Sequence, residues 1–255
     1  VFSEALNQVD SAIFCYDTTI ELLKDDSVYK SLGILYSTYT NYANVYYKDG
    51  DYINAIRINL KALKGSEGLE DHDVENQLIT NNNIGNCYLE LEEFDNAMKY
   101  YEKAIVLCEK DSNDFLKCGI RLDISQILIK KSNFSEALTY LKETERQISK
   151  TNFDRLYPIL YQHLATVYHS KNELDSAKQY IDMALSKLKL HKDDFTKVSV
   201  LFIASEIAEE QNQINNDIVY LEKVAREKVN RELQLENIES DGLMWPIPSQ
   251  LITAY

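Results

Sequence analysis

Few residues in this sequence have the type and spacing that metal or covalent chemistry requires. The only two histidines on one predicted helix are His163 and His169. They are six residues apart, which is a rotation of about 600° around the helix axis, so they point in different directions. The glycines are isolated and form no phosphate-binding loop. The cysteines are Cys15, Cys87, Cys108 and Cys118, and they form no Cys-x-x-Cys pair. We expect each of them to be a small buried apolar residue. We therefore expect a protein that is not an enzyme, without catalytic residues, a metal or a cofactor.

The charge of the chain restricts the partners that it can bind. The sequence has 27 Lys and Arg against 41 Asp and Glu, which gives a net charge of −14. Nucleic-acid binders carry a basic stripe to neutralise phosphates, and no such cluster is present. An anionic membrane surface would repel the chain, and no apolar stretch approaches the roughly 18 residues of a membrane span. We expect a neutral to basic partner, no nucleic acid and no membrane, while the compartment stays open.

Glycine and proline are scarce, with 7 and 3 residues in a chain of 255. Every β-hairpin consumes such residues, so an all-β sandwich or barrel is excluded. Hydrophobic residues make up 45% of the chain, which is enough for a sizeable core and argues against disorder. The composition predicts a mostly helical protein with short connections.

A repeat with a period of 40 to 43 runs along most of the chain. The small residues that mark it are Ala12, Ala55, Ala97, Ala137 and Ala177. A second set of small residues lies twelve positions before these markers, and once twelve positions before 217, where the repeat continues. The set is Ala43, Gly85, Ser125, Ala165 and Ser205. Bulky apolar residues recur three or four positions away, on one helical face. Each repeat is therefore predicted to be two antiparallel helices that approach at the small residues.

The predicted breaks between paired helices fall at 48–50, 91–93, 131–133, 171–173 and 211–213. Asn133 with Glu136, and Asn172 with Asp175, have the spacing of a helix N-cap followed by an acid three residues later. We expect Asn133 and Asn172 to cap the helices that follow them.

These residues resemble the tetratricopeptide repeat (TPR), whose usual period is about 34 residues. The second full repeat carries the small and bulky positions of the motif at Ile84, Gly85, Tyr88, Phe94, Ala97, Tyr101 and Ala104. The third repeat departs from the motif at Arg121 and Thr144. The longer period is similar to that of bacterial regulatory TPR proteins, which include peptide-sensing regulators.

The resemblance implies an all-α fold. The expected fold is a right-handed α-α superhelix of about five helix pairs plus an N-terminal half repeat. We expect one solenoid domain over residues 1–238, which includes a long charged helix from about Asn216 to Ile238. The extended tail, 239–255, contains Pro246 and Pro248 and breaks the pattern. The tail is expected either to cap the last repeat or to occupy a groove, its own or that of a second molecule, as a peptide mimic. The second case would allow self-association.

In this family the first helix of each repeat lines a concave groove, which implies a set of groove residues in this chain. Side-chain amides dominate the set, and an amide can pair with the backbone of an extended peptide because it both donates and accepts hydrogen bonds. Tyrosine and aliphatic side chains supply apolar contacts, and two lysines could meet a carboxylate. The groove residues are Asn41, Asn44, Tyr47, Lys48, Asn82, Asn83, Asn86, Leu89, Gln126, Ile129, Lys130 and Gln162.

The expected function is therefore a non-catalytic module that binds a peptide or protein segment, as the sensory or interaction part of a bacterial regulator. A chaperone C-terminus is disfavoured, because Thr40, Gly119 and Asp123 stand where that recognition needs Lys or Arg. The groove could also be an ordinary solvated surface. Two alternatives remain. One is a structural scaffold or oligomerisation domain that assembles through its convex face or ends, and the other is an enzyme accessory or a degenerate catalytic helical domain.

Overall fold

The computed structural model describes residues 2–25, 33–66, 74–188 and 194–210. A 3₁₀ turn at Asp154–Leu156 directly precedes one of the helices. The ten α-helices of these residues are α1 (Phe2–Leu23), α2 (Ile34–Lys48), α3 (Tyr52–Ser66), α4 (Val74–Glu90), α5 (Phe94–Asp111), α6 (Asp114–Lys130), α7 (Phe134–Ile148), α8 (Tyr157–Ser170), α9 (Leu174–Leu188) and α10 (Asp194–Glu210). No strand occurs in this part of the chain.

The helices form the solenoid that the repeat predicts. The pairs α2 with α3, α4 with α5, α6 with α7 and α8 with α9 pack as antiparallel hairpins, and each pair packs on the next. Helix α1 packs on α2 as the second helix of a half repeat, and α10 packs on α8 and α9 as the first helix of a fifth. The all-α superhelix is confirmed. The long charged helix, the 239–255 tail and the boundary at 238 lie outside the described residues.

The turn inside each complete repeat has one recurring backbone geometry. At its centre a residue adopts a left-handed conformation, at Gly50 (φ 81°), Glu92 (φ 57°), Ser132 (φ 58°) and Asn172 (φ 60°). The next residue donates its backbone N–H to the carbonyl five residues earlier, as Asp51 does to Tyr46 at 2.9 Å. This pattern is a Schellman motif, which satisfies carbonyl groups at the end of the first helix. The turns match the predicted breaks at 91–93, 131–133 and 171–173, the first turn lies at 49–51, one residue later than predicted, and the predicted break at 211–213 lies outside the described residues.

The helix starts differ from the predicted caps. Asn172 occupies the left-handed turn position, which asparagine tolerates better than most residues, so it stands too early to cap α9. Asn133 directly precedes α7, but its Nδ2 donates to Glu136 Oε2 at 2.6 Å and its side chain accepts no backbone N–H. A side-chain cap of the expected kind does occur at Asn113, whose Oδ1 accepts from the N–H of Leu116 at 3.1 Å.

The left-handed turns provide a direct test of this geometry. Gly50→Ala is expected to lower the free energy of unfolding by about 1 kcal/mol, because a Cβ disfavours this conformation. Nothing lies within 4 Å of the added Cβ, so steric crowding contributes nothing. Urea unfolding of the purified chain measures the change. Ser132→Gly, at the equivalent turn, should unfold at the same or higher urea concentration than wild type. An unchanged Gly50→Ala protein would contradict a left-handed turn.

Buried small residues let the paired helices approach. The four complete repeats bury the small residue of the first helix at Ala43, Gly85, Ser125 and Ala165 and that of the second at Ala55, Ala97, Ala137 and Ala177. A single apolar core then runs from Leu78 to Ile207. The core continues through the third repeat, where Thr144 is fully buried and donates its hydroxyl to the carbonyl of Tyr140 at 2.8 Å.

Between the first and second repeats the packing is partly polar. The hydroxyls of Thr40 and Thr80 share a buried hydrogen bond of 2.9 Å that joins α2 to α4. Asn59 and Asn81 are also buried, and among the described residues their Oδ1 atoms have no hydrogen-bond partner. The apolar cluster of α1, α2 and α3 is separate from the main core. A third apolar cluster, of Ala55, Ile56 and Cys87, joins the first repeat to the second beside these polar groups.

Candidate peptide-binding groove

The first helices of successive repeats, α2, α4, α6, α8 and α10, form a row in which α2 contacts α4, α6 contacts α8 and α8 contacts α10. Side-chain contacts join neighbouring members of this row. Ser125 Oγ on α6 lies 2.9 Å from His163 Nδ1 on α8, and His169 Nε2 on α8 lies 3.0 Å from Glu210 Oε2 on α10. The row brings together side chains that are one repeat apart in the chain, as the sequence predicts.

Three of the predicted groove amides make hydrogen bonds within the protein. Asn83 Nδ2 donates to Asn44 Oδ1 at 3.1 Å, which links α4 to α2. Asn86 Oδ1 accepts from the hydroxyl of Tyr101 at 2.8 Å. These bonds set the direction of each amide and leave the Nδ2 groups of Asn44 and Asn86 and the Oδ1 of Asn83 without a hydrogen-bond partner in the described part of the chain. Contacts within the protein thus orient these three amides.

The other four predicted amides make no side-chain hydrogen bond with any residue that the structure describes. Asn41 is exposed at the entrance of the row. The remaining three are partly buried along it, at Asn82, Gln126 and Gln162. These side chains keep their full capacity to donate and accept.

The apolar and cationic members of the predicted set have different environments. Leu89 and Ile129 are partly buried and pack against the main core. Tyr47 is partly buried, and its hydroxyl donates to Glu90 Oε1 at 3.4 Å. Lys48 is exposed. Lys130 is also exposed, but its Nζ lies 2.9 Å from Glu92 Oε1, so this lysine already has a carboxylate partner in the neighbouring repeat.

Two carboxyl groups that the sequence reasoning did not select also belong to this region. Asp123 on α6 is partly buried and forms no ion pair or hydrogen bond with a described residue. Burial, and then the nearby Glu90, raise the pKa of Asp123 to about 7. Glu90 also raises the pKa of the Tyr47 hydroxyl, although burial contributes more. The position of Asp123 in the motif was the available signal. The sequence reasoning considered this position only as one where recognition of a chaperone C-terminus needs Lys or Arg.

The acidic character continues at the far end of the row. Glu206 on α10 is partly buried, and burial raises the pKa of its carboxyl, while His169 opposes that change. Glu209 and Glu210 are exposed on the same helix. Five of the seven predicted amides lie on α2 and α4, while carboxyl groups lie at the end of α4, on α6 and on α10.

Histidine and cysteine take structural roles in the described residues. His163 is buried, and burial lowers its pKa to about 4, so the ring is neutral and bonded to Ser125. Burial raises the pKa of the Cys87 thiol to about 12. Cys108 and Cys118 are buried as expected, but Cys15 is exposed on α1. That expectation was wrong for Cys15, because α1 pairs with no preceding helix among the described residues. No group of metal-ligating side chains occurs in this part of the chain.

None of the helices that the structure describes is both long and apolar enough to cross a membrane.

Comparison with known sequences matches the repeat directly. The model of the tetratricopeptide repeat family matches residues 34–110, which cover α2 to α5. Response regulator aspartate phosphatase A of Bacillus subtilis (strain 168) is 30% identical over 94 residues, which cover 37% of this chain and 24% of that protein. Response regulator aspartate phosphatase I of the same organism is 23% identical over 196 residues, which cover 76% of this chain and 48% of that protein. The alignments thus span less than half of either relative.

Solved structures share the fold over nearly the whole chain. BtubC (BKLC) from P. vanneervenii superposes with a TM-score of 0.70 at 17% identity and covers 96% of both chains. A Rap protein complexed with competence and sporulation factor has a TM-score of 0.69 at 15% identity, over 88% of this chain and 66% of that one. NprR in complex with its cognate peptide NprX has a TM-score of 0.65 at 15% identity, over 89% and 65%. Residues 34–110 thus match the tetratricopeptide repeat family, and the described helices share the solenoid fold of these solved structures.

Proposed function

We propose that this chain is a non-catalytic binding module that holds an extended peptide segment along its concave face, as part of a regulatory protein. The observation that carries the proposal is the row of oriented and unpaired amides on α2, α4, α6 and α8, which runs beside the unpaired carboxyl of Asp123. An extended peptide presents one N–H and one C=O per residue, and side-chain amides can pair with both.

The carboxyl groups indicate which peptide residue the groove prefers. Asp123 lies near Glu90, and no cation among the described residues pairs with Asp123. A lysine or arginine of the ligand, or its terminal amine, would neutralise the pair and favour the ionised form of Asp123. The preferred ligand is thus neutral and polar along α2 and α4 and basic beside α6.

The expected hydrogen bonds and apolar contacts are sufficient for micromolar affinity. Each peptide hydrogen bond contributes about 1 kcal/mol net, and a charge-assisted bond contributes about 2 kcal/mol. Four or five such bonds with the apolar contacts of Leu89 and Ile129 reach about −8 kcal/mol, which corresponds to micromolar binding.

The structural neighbours support a peptide as the ligand. The Rap protein is complexed with competence and sporulation factor and NprR with the peptide NprX, and both share this fold. The word phosphatase in the names of the Bacillus relatives describes proteins of which this chain matches less than half. We propose that this chain acts by binding, since the solenoid offers a groove of amides and carboxyl groups.

A peptide array with labelled protein tests the proposal. Wild type is expected to select extended peptides with a basic residue, at micromolar affinity. Gln126→Ala and Asp123→Asn should each weaken binding about tenfold, because each removes one hydrogen-bonded or charged contact. Gln179→Ala, on the exposed side of α9, is the matched control and should bind as wild type. Equal binding by all four proteins would overturn the groove assignment and favour a scaffold that assembles through other surfaces.

A further inference from the structure

The exposed side of α3 differs from the equivalent sides of α5, α7 and α9. Helix α3 contains no Asp or Glu and carries three cations. Two large aliphatic side chains are exposed beside them, Ile53 at 63% and Leu60 at 39%. The outward row, hereafter the α3 face, consists of Ile53, Arg57, Leu60, Lys61 and Lys64, all of which are exposed. At 100° per residue these five side chains fall within an arc of about 100°.

The other repeats show what the same positions carry by default. In α5 they are Asp95, Lys99, Glu102, Lys103 and Val106; in α7, Ser135, Thr139, Lys142, Glu143 and Arg146; and in α9, Asp175, Gln179, Asp182, Met183 and Ser186. Those three sets mix acids with cations or polar residues. Packing of the solenoid therefore does not require the cations or the exposed aliphatic residues of α3.

Contacts within the protein leave the cations of the α3 face available. Arg57 Nε donates to Asn54 Oδ1 at 3.1 Å, which is a neutral partner. Asp51, the acid that precedes α3, is engaged by the backbone N–H and the Nδ2 of Asn54. No ion pair to Arg57, Lys61 or Lys64 is present among the described residues. Three positive charges thus stand beside two exposed aliphatic residues in a chain of net charge −14.

The acidic stretch between α3 and α4 is too short to cover this face. It has seven residues, 67–73, which span at most about 25 Å when fully extended. Ile53 lies about 20 Å from Ser66 along the helix, so a path to Ile53 and back to Val74 exceeds that length. The stretch therefore cannot cover the Ile53 end of the face, and an occupant of the whole face must come from elsewhere.

We propose that the α3 face docks an amphipathic helix of a partner protein whose apolar side is flanked by Asp or Glu. Ile53 and Leu60 are seven residues apart, which is the spacing at which one helix meets the apolar row of another. The cations at positions 57, 61 and 64 lie beside this row and match acids along the edge of the incoming helix. The α3 face belongs to a second helix of its repeat, so it is separate from the concave row and can be occupied at the same time as the proposed peptide groove.

A partner helix fits better than nucleic acid or membrane. Nucleic-acid affinity grows with the number of neutralised phosphates, and three cations are few for a chain that is strongly acidic as a whole. The two aliphatic residues also have no role in phosphate contact, whereas they supply the apolar centre of a helix–helix interface.

The probe is a synthetic helical peptide of about five turns, with leucines along one side and glutamates beside them. Fluorescence anisotropy with the full chain should show micromolar binding that weakens as salt is raised. Arg57→Glu/Lys61→Glu and, separately, Ile53→Ser/Leu60→Ser should each weaken it about tenfold. Circular dichroism should be unchanged, since all four side chains are exposed. Lys142→Glu/Arg146→Glu, the matched pair on α7, and Gln126→Ala in the groove should bind the probe as wild type does.

Several outcomes would overturn the proposal. In the first, wild type does not bind the acidic peptide. In the second, the α3 variants bind it as tightly as wild type does. In the third, wild type binds the same peptide with glutamine in place of glutamate equally well. Tighter binding of duplex DNA or anionic vesicles than of the peptide would assign the face to a polyanion instead. Light scattering that shows a dimer abolished by Ile53→Ser/Leu60→Ser would assign it to a second copy. Because Gln126→Ala tests only the groove, failure of either proposal is distinguishable from failure of the other.

Discussion

Replacing Gly85 by alanine is expected to lower the free energy of unfolding by about 2 kcal/mol. The added Cβ would stand 2.6 Å from two ring carbons of Tyr101, a side chain that is fully buried. The ring cannot move away freely, because its hydroxyl is hydrogen-bonded to Asn86 at 2.8 Å. Overpacking of this kind exceeds the roughly 1 kcal/mol that alanine adds to helix propensity relative to glycine.

Chemical denaturation measures this change, and the chain offers two controls. Gly119→Ala lies in the interior of α6, where nothing stands within 4 Å of the added Cβ, so it should raise stability by about 0.5–1 kcal/mol. Gly85→Ala/Tyr101→Leu should be more stable than Gly85→Ala alone. At these two positions the third repeat already combines Ser125 with Leu141, and the fourth combines Ala165 with Ile181. A Gly85→Ala protein as stable as wild type would contradict the close approach of α4 and α5.

Replacing Asp123 by asparagine is expected to raise stability at pH 8 by roughly 1–3 kcal/mol and to remove a pH dependence. In the folded chain burial raises the pKa of this carboxyl from 3.8 to about 7. Between these values the folded state binds the proton more tightly than the unfolded state does, so stability falls as pH rises from about 4 to about 7. Above pH 7 both states are ionised, and the full penalty of burying the charge beside Glu90 remains.

Urea unfolding at pH 5 and at pH 8 checks this prediction. Wild type should lose more stability between the two values than Asp123→Asn does. Asp182→Asn, at an exposed position on α9, should keep the wild-type difference. If Asp123→Asn is no more stable than wild type at pH 8, the carboxyl is well solvated, and its proposed role as an unpaired anchor in the groove loses its basis. A basic peptide that binds the groove should stabilise wild type more than Asp123→Asn at pH 8.

The repeat pattern was sufficient to predict most of the fold. The breaks at 91–93, 131–133 and 171–173 coincide with the observed turns, and the break at 48–50 lies one residue before the turn at 49–51, because a helix pair of this kind repeats one small-residue contact in each unit. The caps were predicted less well, since Asn172 fits both a cap and a left-handed turn by type. The Schellman hydrogen bonds, which depend on backbone geometry, decide between these roles.

The predicted groove depends both on the sequence motif and on the tertiary structure. Side chains one repeat apart meet along one row because each repeat adds the same rotation and rise, so position in the motif was enough to choose Asn44, Asn83 and Asn86. Their partners were not readable from that pattern. Lys130 has Glu92 as a partner, and Asn86 has Tyr101, because helices from adjacent elements approach within hydrogen-bond distance.

Composition and periodicity alone predict that this chain is acidic, helical and built from repeated helix pairs, whereas the choice of the helix that lines a groove came from the resemblance to the tetratricopeptide repeat. Whether a given polar group is free, paired or shifted in pKa was decided only by the tertiary structure. Periodicity reports which residues share a face, whereas desolvation and hydrogen bonding depend on distances between neighbouring repeats. Asp123 shows the difference, because an ordinary aspartate in the sequence acquires a raised pKa only when the fold buries its carboxyl near Glu90.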